Sequence, residues 1–329
     1  MKPGSLSGEP PGLHSARIGV ATATLFSAPT TDRPLDAPAL APVTDVRKWV
    51  ASLTPAERMR AAVVSQSLLG EPVIVDSTVD GWSRVVLTGQ PATDLDPRGY
   101  PGWLPSCQLA PASGPDPASS DPDPASASSD LVVAVIATTL RDAPNGDLVL
   151  PSVVLGTRLR RSPHTGSRRT SADGWCAVDV PGHPEPLWAR SLDLAPAPTT
   201  VAATSREVLK TATMLRETPY VWGGLTPFGI DCSGLVHLSW RRHGVTLPRD
   251  AYNQAAATTP IPFGSERPGD LYFFARTGQR VHHVGFVASA PRGDTRIMLH
   301  ACSERREVVI EEIQGDRAGT LVRAHRVPL

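Results

Sequence analysis

The sequence predicts an α+β protein: two small β-barrels in tandem, followed by a unit that mixes helices and strands. Three features predict it. A set of Gly and Trp landmarks occurs twice in order, a low-complexity stretch separates the two copies, and helical patterning begins at Thr204. At 329 residues and 34.9 kDa the chain is too long for one ordinary domain and fits two or three. Its 40% hydrophobic content is enough to fill real cores, and its 34 prolines and 27 glycines fall below the share of a wholly disordered chain.

Charge and cysteine usage exclude several functions. Thirty-two basic and 32 acidic side chains cancel, so there is no large positive field of the kind that holds nucleic acid. Only Lys2, Lys48 and Lys210 are lysines, an arginine bias typical of a GC-rich genome and of little functional weight. Cys107, Cys176, Cys232 and Cys302 are far apart with no C-x-x-C pair, which argues against a disulfide scaffold and a structural zinc site. His14, His164, His183, His237, His243, His282 and His325 show no metal-ligand spacing, so no metal or cofactor is expected. No run of 18 apolar residues occurs, and Ile18 to Phe26 is too short and polar for a signal core. A cytoplasmic protein is expected, without membrane attachment; an upstream start would be needed to add an export signal.

Residues 1–15 are rich in Gly, Pro and Ser and are expected to be disordered. The first barrel is placed at 16–109. Its landmarks are Leu69-Gly70-Glu71, then Asp80-Gly81-Trp82, then Trp103 with Leu109 behind it. Asp-Gly signals a tight turn and the residues after it alternate as a strand does. A helical insertion is expected at about 44–62, where Thr54 precedes Pro55 as a cap precedes a first helical proline. Residues 110–130 lack aromatic and large aliphatic side chains, so ordering them would cost entropy with nothing buried in return; they are a linker or surface insertion. The second barrel, 131–195, repeats the landmarks as Leu155-Gly156-Thr157, Asp173-Gly174-Trp175, and Trp188 with Leu194 behind it. A Pro-rich break at Leu194 to Thr200 leads into the last unit, 200–329.

That last unit carries the chemistry. Thr204-Ser205-Arg206-Glu207 is a capping box, with Val208, Met214 and Leu215 as the apolar face of the helix it starts. Asp231-Cys232-Ser233-Gly234 opens a second, buried helix that Gly244 stops. Cys232 thus falls at a helix N-terminus, where unpaired N–H groups and the dipole can lower a cysteine pKa from about 8.5 to roughly 3.5–7.5. Pro268 to Phe274, Val281 to Val287 and Arg296 to His300 read as strands. Neighbours on a strand face opposite ways, so of His282 and His283 only one meets the thiol. His283 shares a face with Gly285, which would let a helix backbone approach, and His300 is placed to bond its other ring nitrogen. Thiol, base and orienting group make a nucleophilic triad.

The two N-terminal repeats resemble bacterial SH3-like (SH3b) domains. The motifs Y-V-W-G-G (from Tyr220), D-C-S-G-L (from Asp231), P-G-D-L-x-F-F (from Pro268), H-V-G (from His283) and L-H-A (from Leu299) resemble, in order and spacing, those of NlpC/P60 cysteine peptidases. The resemblance implies a papain-like domain with the cysteine helix on an antiparallel sheet, and Cys232 as nucleophile, His283 as base and His300 as orienting residue. Ser65 to Val73 and Arg98 to Trp103 are further similar to the first SH3b domain of γ-D-glutamyl-L-diamino acid endopeptidases of the dipeptidyl-peptidase VI-like group. This implies cleavage between γ-D-Glu and meso-diaminopimelate or Lys in free murein peptides whose N-terminal L-Ala is unblocked, as in cell-wall peptide recycling. It also implies Tyr220, Ser233, Tyr100 and Glu71 as substrate contacts. A free L-Ala ammonium needs a buried acceptor, and Asp231 beside the nucleophile is placed to supply it; as a helix N-cap it has a second reading, and the two are compatible. One departure from the family pattern is Asp250-Ala251 after Leu247-Pro248-Arg249, where a pocket hydroxyl is often found. The competing readings are a secreted hydrolase acting on intact wall and an inactive SH3b module that only binds wall peptides.

Overall fold

The computed structural model describes residues 13–29, 33–112, 130–163, 174–198 and 204–328. The expected disorder at 1–12, the low-complexity residues 113–129 and His164 lie outside the described residues.

Strands β1 (His14–Ile18) and β2 (Thr22–Phe26) open the chain, followed by helices α1 (Ala37–Leu40) and α2 (Val46–Ser52). Strands β3 (Val63–Leu68), β4 (Pro72–Val79), β5 (Trp82–Leu87), β6 (Tyr100–Pro105) and β7 (Leu109–Pro111) complete a seven-stranded antiparallel sheet in the order β3-β2-β6-β5-β4-β1-β7. Asp80 and Gly81, at φ 48° and 79°, form the two-residue loop between β4 and β5. Both residues left-handed is what a type I′ hairpin turn requires. Alternating inward residues such as Ile18, Leu25, Val73, Val75, Val85 and Leu87 fill one core.

Two boundaries move. β1 starts at His14, inside the stretch expected to be disordered, and β7 runs into the Pro-rich stretch, because Ala110 and Pro111 pair with Arg17 and Ala16. The insertion also differs from expectation. Its helix is α2, capped by Asp45, which accepts from Lys48 N at 2.9 Å. Thr54 and Glu57 do exchange reciprocal capping bonds, at 2.7 and 3.3 Å, yet only one 3-10 turn follows, at Glu57–Met59. Val63 must already be extended to pair with Phe26, which leaves no room for further helical turns.

The second sheet contains β8 (Asp130–Val133), β9 (Ala137–Arg141), β10 (Leu148–Val154), β11 (Arg158–Arg161), β12 (Trp175–Asp179), β13 (Leu187–Arg190) and β14 (Leu194–Pro196). Its order, β10-β9-β13-β12-β11-β8-β14, is that of the first sheet strand for strand. The correspondence extends to Leu-Ala-Pro in both last strands, each entered from a 3-10 turn. Trp82 and Trp175 are buried, whereas Trp103 and Trp188 are half-buried.

In the remaining unit, α3 (Ser205–Thr213) starts at the capping box between Thr204 and Glu207. Val208 and Leu215 are buried, but Met214, expected on the same face, is exposed. The hairpin β15 (Leu225–Thr226) and β16 (Gly229–Ile230) leads into α4 (Cys232–Arg241), followed by α5 (Ala251–Ala257). Strands β17 (Thr259–Ile261), β18 (Leu271–Phe274), β19 (His283–Val287), β20 (Ile297–Cys302), β21 (Glu307–Glu312), α6 (Gly315–Thr320) and β22 (Leu321–Arg326) complete the chain. The six strands form one antiparallel sheet ordered β17-β22-β18-β19-β20-β21.

α4 is buried from Cys232 to Trp240, the pattern of a helix packed on all sides. Its core is shared: Leu235 and Leu238 belong to a cluster that includes Phe286 and Leu299 of the sheet, Leu68 of the first sheet and Val154 of the second. Helix α4, which carries Cys232, is therefore clamped by all three parts of the chain.

Candidate active site

Cys232 is the first residue of α4, and Asp231 is its N-cap. Asp231 Oδ1 accepts from Gly234 N at 2.6 Å and Oδ2 from Gly223 N at 2.9 Å. A β-carbon at 234 would collide with the Gly224 carbonyl oxygen, so only glycine lets the loop of Gly223 and Gly224 lie against the first turn. The thiol is held by the backbone N–H groups of Ser233 and of Val284, the residue after His283. Those donors and Arg249 favour a thiolate, but burial outweighs them and, with the nearby Asp231 charge, pushes the thiol up to about 12. The helix-terminus effect expected from the sequence is present and loses.

His283 opens β19 and His300 lies in β20, which runs on to Cys302 rather than ending at the histidine. Their rings meet at 2.8 Å, His283 Nε2 to His300 Nδ1, and cross at 80°. His300 Nε2 in turn lies 3.1 Å from Glu311 Oε1. Burial, then the neighbouring His300, lowers His283 well below the ordinary histidine range; burial and Arg317 bring His300 down to about 4. Both rings are thus neutral at neutral pH. Gly285 serves a different neighbour from the one expected: a β-carbon there would lie 2.9 Å from His300 Cβ, so its smallness admits His300 and not a helix.

Four further residues reach this site and one does not. The Tyr220 phenol lies beside the thiol, and burial followed by the Cys232 and Asp231 charges raises it well above the ordinary tyrosine range. Tyr100, carried by β6 of the first sheet, stands with its hydroxyl beside the Asp250 carboxylate. Ser233 Oγ donates to Asp231 Oδ1 at 3.2 Å and accepts from Arg249 Nη1 at 3.0 Å. Asp231 is saturated: besides its two backbone donors it accepts a bidentate pair from Arg249, at 2.9 and 2.8 Å. It therefore caps the helix, and its charge is already balanced. Glu71 is a correction. It pairs with Arg241 at the last residue of α4 and accepts from Ser67 Oγ at 2.6 Å. Nine residues of helical rise, about 13.5 Å, separate that end from Cys232.

Several site residues escaped the sequence reading. Arg249, fully buried, also donates to Ser65 Oγ of β3 at 3.1 Å and to Gly224 O at 3.2 Å. Gln66 of the same strand accepts from Leu225 N at 2.8 Å, so the first sheet walls one side. Asp250 makes no ion pair among the described residues; its partial burial raises its carboxyl, outweighing the nearby Arg249 charge. The L-P-R-D run was legible as a motif, but which of its side chains would be buried was not. His300, Cys302 and Glu311 also offer three possible ligand atoms within 4.8 Å of one another. Arg317 and Arg305 already neutralise that cluster: Arg317 Nη2 donates to Cys302 Sγ at 3.4 Å and pairs with Glu304, and Arg305 Nε donates to Glu311 Oε2 at 3.3 Å.

A thiol at a helix start, next to a pair of histidines on an antiparallel sheet, defines the class: this chain is a cysteine peptidase. Residues 217–326 match the NlpC/P60 family. A γ-D-glutamyl-L-lysine dipeptidyl-peptidase of Bacillus cereus is 30% identical over 306 residues, covering 90% of this chain and 85% of that one. A protein of the same name from Bacillus subtilis is 29% identical over 287 residues, covering 85% and 88%. The crystal structure of an NlpC/P60 family protein from Bacillus cereus superposes with a TM-score of 0.79 at 26% identity, covering 95% of this chain and 99% of that one. The chain belongs to the NlpC/P60 family.

Proposed function

We propose that this peptidase cleaves the bond between γ-D-glutamate and a diamino acid in free murein peptides whose N-terminal L-Ala is unblocked. The observation that carries this reading is the wall that the first sheet builds beside Cys232, where Tyr100 faces Asp250. A half-buried carboxylate at that wall, hydrogen-bonded by tyrosine hydroxyls and in no ion pair among the described residues, suits a short peptide with a free ammonium. Asp250 takes the role that the sequence had suggested for Asp231. In this reading residues 16–109 and 131–195 are SH3-like modules, supported by their identical strand orders, and residues 200–329 are the peptidase. The same proposal places the enzyme inside the cell, acting on recycled wall peptides.

Cys232 attacks the γ-carbonyl carbon as the neutral His283 takes its proton, and the carbonyl oxygen becomes an oxyanion near the N-terminus of α4. Collapse of the tetrahedral species breaks the C–N bond, and His283 returns the proton to the leaving amine. Water, deprotonated by the same imidazole, then hydrolyses the thioester and releases L-Ala-γ-D-Glu. Tyr220 and Ser233 line the reacting centre in this scheme.

The test is incubation with L-Ala-γ-D-Glu-meso-diaminopimelate and with its N-acetylated form. Release of L-Ala-D-Glu from the free peptide only, and by wild type but not Cys232→Ala, is the expected result. Equal cleavage of both peptides removes the free-ammonium reading, and full activity of Cys232→Ala removes the assignment of the nucleophile.

A further inference from the structure

We propose that Glu311 is a positioning residue that fixes the proton arrangement of both histidines, making a relay of four groups where the motifs name three. This rests on the assignment of Cys232, His283 and His300 above. Glu311 lies in β21, and the β20–β21 register pairs His300 with Val309, so Glu311 is the diagonal neighbour two residues on. Side chains so placed on one face of an antiparallel pair are within reach of each other.

A carboxylate between two guanidinium groups has only lone pairs to offer. Arg305 Nε donates to Oε2 at 3.3 Å, and Arg317 Nε lies 3.9 Å from Oε1. The contact at 3.1 Å from Oε1 to His300 Nε2 therefore needs the His300 proton on Nε2. A neutral ring carries one proton, so His300 Nδ1 is a bare acceptor. The 2.8 Å contact to His283 Nε2 then needs the His283 proton on Nε2. That leaves His283 Nδ1 with a free lone pair as the nitrogen available to receive the thiol proton. Reversing the first assignment reverses every later one, and a His283 protonated on Nδ1 cannot act as a base. Other charged or titratable neighbours of the pair are His282, Arg317 and Glu304. None of them has a contact to either ring nitrogen within hydrogen-bonding distance among the described residues.

The experiment is NMR of the full chain with ¹⁵N-labelled histidine, the two rings being assigned by His283→Gln and His300→Gln. At neutral pH the wild type is expected to show Nδ1 unprotonated and Nε2 protonated in both rings. Glu311→Leu, which keeps bulk and removes the acceptor, is expected to populate the Nδ1-protonated forms. It should also lower kcat by about tenfold or more, within the roughly 10²–10⁴-fold that general-base catalysis supplies, with KM little changed. Glu311→Gln, which retains an acceptor oxygen, should recover most of that loss. A wild-type His300 protonated on Nδ1, or a folded Glu311→Leu with unchanged tautomers and kcat, overturns the proposal. Should Glu311→Leu fail to fold, the wild-type spectrum and Glu311→Gln still decide it. Activity in Cys232→Ala would instead remove the underlying triad, whatever the tautomers show.

Discussion

Arg249 and Asp231 form a buried bidentate ion pair one residue from Cys232, with Nη1 to Oδ1 at 2.9 Å and Nη2 to Oδ2 at 2.8 Å. The same guanidinium reaches Ser65 on the first sheet and Gly224 on the loop before α4. One side chain thus fixes the cap of α4, the loop lying over it and the wall beside it. Asp231 accepts from Arg249, Ser233 and two backbone amides, so the cluster has little conformational freedom.

Removing one partner of such a pair strands the other charge. Arg249→Met is expected to lower the unfolding free energy by about 3–5 kcal/mol, the range for breaking a buried pair from one side. Urea denaturation followed by tryptophan fluorescence measures it. A loss below about 1 kcal/mol would mean that water reaches Asp231 and solvates it, as at a surface pair.

Asp250 has a different character, a half-buried carboxylate beside the Tyr100 and Tyr252 hydroxyls that makes no ion pair among the described residues. Asp250→Asn is expected to cut kcat/KM for the free-amine peptide about 10- to 100-fold, the worth of one hydrogen bond to a charged group. The change should appear mainly in KM and leave any slow turnover of the acetylated peptide unaffected. Equal losses on the two peptides would place the ammonium elsewhere.

What the sequence discloses and what it hides differ for a physical reason. Cap, dipole and alternation are local properties, so Cys232 at a helix start and His283 on a strand are legible in D-C-S-G and H-V-G. Burial of Arg249 and the diagonal between Glu311 and His300 depend on register and on packing against a distant sheet. No short window of sequence contains either. The 44–62 insertion shows the limit from the other side. Thr54 and Glu57 make their local capping bonds, and strand pairing of Val63 still ends the helix after one turn. Glu71 was placed by motif similarity alone, and the fold sends it to the opposite end of α4.

Acid should destabilise the protein through histidines that are buried neutral. His237 donates from Nδ1 to Leu247 O at 2.7 Å, and burial with Arg241 and Arg249 nearby holds it down to about 3, against 6.5 when unfolded. Between these values the unfolded chain binds the extra proton, so stability falls as pH drops from 6.5 towards about 3. The slope is at most about 1.4 kcal/mol per pH unit for one group. His300 adds a second contribution between 6.5 and about 4. Urea midpoints measured from pH 7 to pH 4 should fall for wild type, and less steeply for His237→Leu. Parallel lines for the two proteins would show that His237 binds its proton equally well folded and unfolded.

The resting state of the Cys232 thiol is open to the same kind of test. A thiol pushed up to about 12 and an imidazole held low describe a neutral pair, not a preformed thiolate–imidazolium pair. The thiolate fraction then rises about tenfold per pH unit through neutral and alkaline solution, because each unit below the pKa costs a factor of ten. Inactivation by iodoacetamide, measured as a rate against pH from 6 to 10, should therefore climb without a plateau. Peptide turnover should already level off near neutrality, since bound substrate lets His283 take the proton during attack. An alkylation plateau reached by about pH 7 would mean that the Val284 and Ser233 amides and Arg249 prevail over burial, giving a standing ion pair of the kind that depressed thiol pKa values produce.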